Sequence, residues 1–189
     1  MANKVALNVE GTKEYVGKRL DVVVLEVIQK EISVENIEEL EIPFFVGISN
    51  LNKGIIEYKN SGPLGDIVLA SSSIPILFSP ITIGRHSYVD GGLMDNIPIA
   101  PIKNDCKQIF VSNISPINPK VKMKNLVQIA TRTFYMSVNA NMREVRKHAT
   151  VFIEPKGIDK FDILLRTHAD ELFELGYNSA KMAMTKALK

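Results

Sequence analysis

The stretch YVDGGLMDNIP, Tyr88 to Pro98, holds the most chemically pointed spacing in the chain. An apolar run ends at Asp90, Gly91 and Gly92 follow at once, and Asp95 and Asn96 precede Pro98. A carboxylate at the carboxyl end of a strand sits where open α/β sheets gather functional groups. Two glycines beside it let the backbone turn sharply, or let a partner come close without a Cβ in the way. The same residues also make an ordinary Asp-Gly turn in which the side chain bonds its own backbone. The local pattern taken alone favours the turn.

A nucleophile to match is harder to find. Ser49, in GISNL, is the one serine with a glycine two places before it, and Leu51 stands where a Gly-x-Ser-x-Gly elbow needs its second glycine. It ends an apolar run instead of entering a helix, so it reads as structural. Ser71, Ser72 and Ser73 come just before Ile74-Pro75, where serines commonly bond backbone in a bend, and read the same way. Gly91 and Gly92 are the only Gly-Gly pair, which leaves no separate glycine-rich loop to offer N–H groups to an oxyanion. His86 falls near a hairpin tip, and His148 and His168 on polar helical stretches, where surface roles outweigh a triad.

Metal and thiol chemistry find no pattern. Asp90 and Asp95 lack the oxygen-ligand spacing of a calcium loop, no His/Cys spacing resembles a zinc site, and no cofactor is expected. Asp95 reads as a negative charge at a helix start. Cys106 has no neighbouring histidine or basic cluster and reads as a buried structural thiol. The run NMREVRKHA brings Arg143, Arg146 and Lys147 together; a solvated helical face is the ordinary explanation, and contact with anionic lipid headgroups the functional one. Met123, Met136, Met142, Met182 and Met184 read as core filling, with acyl-chain contact as the alternative.

Alternating strands and helices must position these residues. Val5, Leu7 and Val9 give a weak strand signal, and Leu20, Val23, Val24, Val27 and Ile28 mark one face of a helix. IPFFVGIS reads as a strand covered on both faces, followed through NLNKG by a hairpin partner in IIEY. A short helix capped by Asp66 over Ile67 to Ala70, a hairpin bent at Gly84, and a helix opened by Asn96 and Pro98 follow. KQIFVSNI and TVFIEP read as strands. Leu126, Ile129, Ala130, Thr133, Phe134 and Ser137 mark the packed face of a long helix, and Leu172, Leu175, Gly176, Ala180 and Ala183 that of the closing one.

Composition bounds the class without choosing within it. With 46% hydrophobic and 23% charged residues, the 189-residue chain falls in the globular range, and no apolar run approaches the ~20 residues of a membrane span. A net charge of +2 from 23 basic and 21 acidic residues gives no electrostatic case for nucleic acid. One cysteine forbids an internal disulfide and the start carries no secretory pattern, so the expected compartment is cytoplasmic.

The order of these stretches carries more than any one of them. LASSSIPILFSP, a hairpin, YVDGGLMDNIPIAPI and then QIFVSNISP closely resemble the C-terminal portion of patatin-like phospholipases, and residues from about Lys18 to Leu188 lie along that family. The resemblance implies a layered α/β sheet flanked by helices, and a serine acyl hydrolase acting on lipid esters through a Ser–Asp dyad. In that family the Asp of the Asp-Gly-Gly turn, matched by Asp90, accepts the serine proton, and no histidine is required. The family's Gly-x-Ser-x-Gly elbow and oxyanion loop lie upstream of the matched part, and neither motif is present here. The expectation is therefore a single patatin-like α/β domain over residues 1–189, incomplete on its N-terminal side and inactive alone. A fragment, a split subunit and a non-catalytic lipid- or protein-binding homologue all fit. A lipid or ester substrate, a complementary N-terminal chain or self-association, and peripheral membrane contact are the implied partners.

Overall fold

The computed structural model describes residues 28, 30, 32–75, 78–116, 123, 126–139, 142–161 and 168–187. The strand expected over Val5 to Val9 lies outside the described residues, as does most of the helix expected before Ile32. The architecture is α/β: two sheets with helices, in two compact units that divide after Pro101.

The first unit carries an antiparallel sheet. Its strands are β1 (Val46–Asn50), β2 (Ile55–Lys59), β3 (Ile81–Ile83) and β4 (His86–Asp90), in the order β2-β1-β4-β3, with helix α1 (Leu64–Ser71) between β2 and β3. Both expected hairpins form, and Gly84 turns the second with φ +62°, a conformation that a side chain would strain. Every residue of β1 is buried, as its unbroken apolar run predicts for a central strand. Val46, Ile48 and Tyr88 pack against Leu64, Ile67 and Ala70 of α1 and against Ile37. Ile48 is fully enclosed, so truncation to Ala leaves a cavity costing about 2–5 kcal/mol.

Helix α1 starts two residues before the expected cap. Pro63 takes the cap position, and Asp66 sits inside the first turn, where its charge still favours the N-terminus. The helix expected from Asn96 does not form; residues 96 and 97 are bends, and 98 and 99 take no regular structure. Pro101 follows Pro98 by three places, removes another donor and disfavours helical geometry at Ala100, which works against a helix here.

The second unit carries a parallel pair, β5 (Phe110–Ser112) and β6 (Val151–Ile153), joined by helices α2 (Leu126–Val138) and α3 (Met142–His148), with α4 (Ala169–Ala187) closing the chain. Val111, Val138, Val145 and Val151 are buried, and α4 turns its half-buried stripe of Leu172, Leu175, Gly176, Ala180 and Ala183 inward, as periodicity predicts. On α2 the expectation fails. Leu126, Ile129, Thr133 and Ser137 are exposed, Leu126 to 79%, while Val138 on another side is buried. Periodicity marks which face is apolar, whereas burial needs a neighbour to cover it. Met123, Met136, Met182 and Met184 are likewise exposed, not core filling.

Candidate functional site

Asp90 ends β4 and caps the short 3₁₀ turn Gly91–Leu93. Its main chain is held on both sides: the N–H donates to the Ser73 carbonyl at 3.0 Å, and the carbonyl accepts from the Ser49 hydroxyl at 3.0 Å. The two glycines do different work. A Cβ on Gly91 would collide with the Gly47 backbone carbonyl, so the turn lies directly on β1 only because Gly91 lacks a side chain. A Cβ on Gly92 would press on Asp90 Oδ1, the atom that its N–H meets at 2.7 Å.

That bond makes the Asp-Gly turn expected from local pattern, and it occupies only one carboxylate oxygen. Asp90 Oδ2 has no hydrogen-bond partner among the described residues, and the one buried unpartnered side-chain atom among them is His86 Nδ1. Partial burial pushes the Asp90 carboxyl above its usual range, and the Gly92 N–H opposes that without cancelling it. The result is a fixed carboxylate of raised basicity with an open oxygen.

The serines around it are all engaged elsewhere. Ser71 donates to the Gly47 carbonyl at 2.9 Å, Ser72 to Val68 and Ser73 to Leu69 at 2.8 Å, and Ser49, at 1% exposure, to Asp90 and Gly91. None donates to the Asp90 carboxylate, in keeping with the structural reading.

Asp95 was expected to trim a helix start, and it has a different partner. Its Oδ2 accepts the Tyr58 hydroxyl at 2.6 Å, with no helix following. Burial, then the Asp95 hydrogen bond and charge, push the Tyr58 phenol up to about 12, so it stays a neutral donor at ordinary pH. Sequence reasoning missed Tyr58. The available signal was strand alternation, which places it on the same side of β2 as Ile56, but that does not name a partner 37 residues away.

Elsewhere, His86 stands edge-on to Tyr88, while His148 and His168 are exposed beside Glu144 and Glu171. Cys106 is exposed, contrary to the buried thiol expected; its stretch is polar outside Ile109 and Phe110, and the first buried side chain after it is Ile109. In the basic run, Arg146 lies 3.7 Å over the Phe152 ring and pairs with Glu154 at 2.8 Å, and Lys147 pairs with Glu144 at 2.8 Å. Among the described residues no group of three His, Cys, Asp or Glu stands together as a metal site, and no helix is long and apolar enough to cross a membrane.

An α/β chain with a strand-end carboxylate on a double-glycine turn is the class that fold and geometry define. The family model for patatin-like phospholipase matches residues 8–102, half of the chain, and the chain belongs to that family. Among its relatives, a lysophospholipase NTE1 of Kluyveromyces lactis is 24% identical over 168 residues, covering 75% of this chain and 12% of the relative. One from Debaryomyces hansenii is 24% identical over 186 residues, covering 84% and 12%. One from Cryptococcus neoformans reaches 32% over 84 residues, 44% of this chain and 5% of its own length. The chain thus spans about an eighth or less of the curated relatives it matches.

Proposed function

We propose that this chain provides the base half of a lipid acyl hydrolase, with Asp90 taking the proton from a serine hydroxyl carried by a complementary N-terminal segment. The observation that carries the reading is the Asp90 carboxylate itself: Oδ1 anchored by Gly92, Oδ2 without a hydrogen-bond partner among the described residues, and the group made more basic by burial. As a serine oxygen attacks an ester carbonyl carbon, Asp90 Oδ2 accepts the hydroxyl proton and then returns it to the departing alcohol. Water afterwards releases the acyl group by the same proton path. The relatives' names, lysophospholipase, favour lipid esters as the substrate class. The compartment that fits is the cytoplasm, with peripheral contact to lipid surfaces.

Alone, the chain should neither hydrolyse a lysophospholipid nor react with a serine-directed fluorophosphonate. Both signals should appear when an upstream segment bearing Gly-x-Ser-x-Gly is supplied, and hydrolysis should fall about 10³-fold or more in Asp90→Asn. Equal hydrolysis with Asn at position 90 would remove Asp90 from the role. A second reading, a binding homologue without catalysis, draws on the Asp90–Gly92 hydrogen bond, which gives the turn a structural use, and on the exposed apolar side chains of α2. A reconstituted protein that stays inactive yet sediments with phospholipid vesicles would favour it.

A further inference from the structure

The geometry points to Tyr58 and Asp95 as positioning residues: their hydrogen bond clamps the far end of the Asp90 turn and keeps the Gly92 N–H aimed at the Asp90 carboxylate. This inference rests on the reading of Asp90 as the base and adds the residues that hold it in place.

The near end of the turn is fastened by main-chain and serine bonds at Asp90 itself. Its far end closes on one atom, the Gly91 carbonyl, which accepts from Met94 N–H at 3.0 Å and Asp95 N–H at 2.9 Å. The second of those bonds requires Asp95 to stay over the turn. What keeps it there is its side chain, tied at 2.6 Å to the phenol of Tyr58 on β2, two strands away from β4. On the intervening strand the residue paired with Tyr58 is Gly47, where an added Cβ would make ordinary contact with Ile56. Pro98 comes down beside the same glycine. Releasing the Tyr58 tether therefore loosens Asp95 N–H, then Gly91, and with it the Gly92 N–H that fixes Asp90 Oδ1.

The test reads the turn directly and needs no turnover. In Tyr58→Phe, amide hydrogen exchange at Gly92 should quicken about tenfold. The Asp90 carboxyl, followed by carbon NMR against pH, should titrate higher, since it loses the N–H that opposes the effect of burial. Asp95→Ala should reproduce both changes, whereas Asp95→Asn keeps an acceptor for the phenol and should restore the wild-type values. Unchanged Gly92 exchange and Asp90 titration in a folded Tyr58→Phe or Asp95→Ala protein would overturn the clamp. Failure of Asp90→Asn to lower reconstituted hydrolysis would instead overturn the base assignment, leaving these signals untouched, so the two ideas fail separately. If Tyr58→Phe does not fold, Asp95→Ala carries the same comparison from the loop side.

Discussion

Two carboxylates flank Ile48 in the central sheet, Glu57 across from it on β2 and Asp90 across from it on β4, and they are built in opposite ways. Glu57 is surrounded by donors: Lys59 at 2.7 Å, the Asn50 amide at 2.8 Å, the Tyr88 hydroxyl at 3.3 Å, and Lys53 at 3.6 Å. Burial alone would raise its pKa, yet the bonds from Lys59 and Asn50 and the charges of Lys59 and Lys53 outweigh it and hold the group down to about 2. Among the described residues Asp90 meets one backbone N–H and no cation, and burial pushes it up. A carboxylate that only holds a sheet together is saturated with partners. One left short of them, on a turn that excludes side chains, fits the proton exchange proposed for Asp90.

The largest expected effect separates the two by chemistry. In the reconstituted enzyme, Asp90→Asn should remove about three orders of magnitude from hydrolysis, while Glu57→Gln should leave the rate of the folded fraction near wild type. Loss of activity in both variants alike would mean that the sheet, not the Asp90 proton, is what matters.

Stability should divide the pair the other way. Glu57→Gln removes the charge that two lysines share in a site only 15% exposed, and should cost about 1–3 kcal/mol at neutral pH in urea unfolding. Because the folded pKa of Glu57 lies below its ordinary 4.5, its contribution is present above that value and is lost as pH falls toward about 2. The variant should flatten this acid limb. For Asp90 the sign reverses: a raised folded pKa means that stability is greatest below its ordinary 3.8 and declines as pH rises through the folded value. Asp90→Asn keeps the oxygen that accepts from Gly92, so its melting temperature at neutral pH should equal or exceed that of wild type. A clear fall would show that the carboxylate serves the fold.

Much of this frame was legible from residue order, and the pairing inside it was not. The buried run around Ile48, the hairpins at NLNKG and Gly84, and the Asp-Gly-Gly turn follow from local physics, because apolar continuity, turn glycines and prolines act within a few residues. Glu57 with Tyr88, and Tyr58 with Asp95, are contacts between residues more than 30 positions apart, which no short window encodes. The helix expected at Asn96 failed for a local reason, since the second proline was visible all along. Leu126 and its neighbours on α2 failed for a global one: an apolar stripe records that something should cover it without saying what.

That stripe supplies the smallest prediction, and it contrasts with the enclosed Ile48. Leu126 is 79% exposed and Met136 57%, so removing either takes little surface out of a packed environment. Leu126→Ser and Met136→Ser should each change the unfolding free energy of the chain by no more than about 0.5 kcal/mol, against about 2–5 kcal/mol for Ile48→Ala. The same two serines should lower any concentration-dependent association seen by sedimentation, because they take apolar area off a face that a second polypeptide could cover. A loss near 2 kcal/mol at Leu126 in dilute monomer would mean that the face is already buried within one chain, and would withdraw the case for association through α2. An unchanged sedimentation profile with unchanged stability would place any partner contact on another surface.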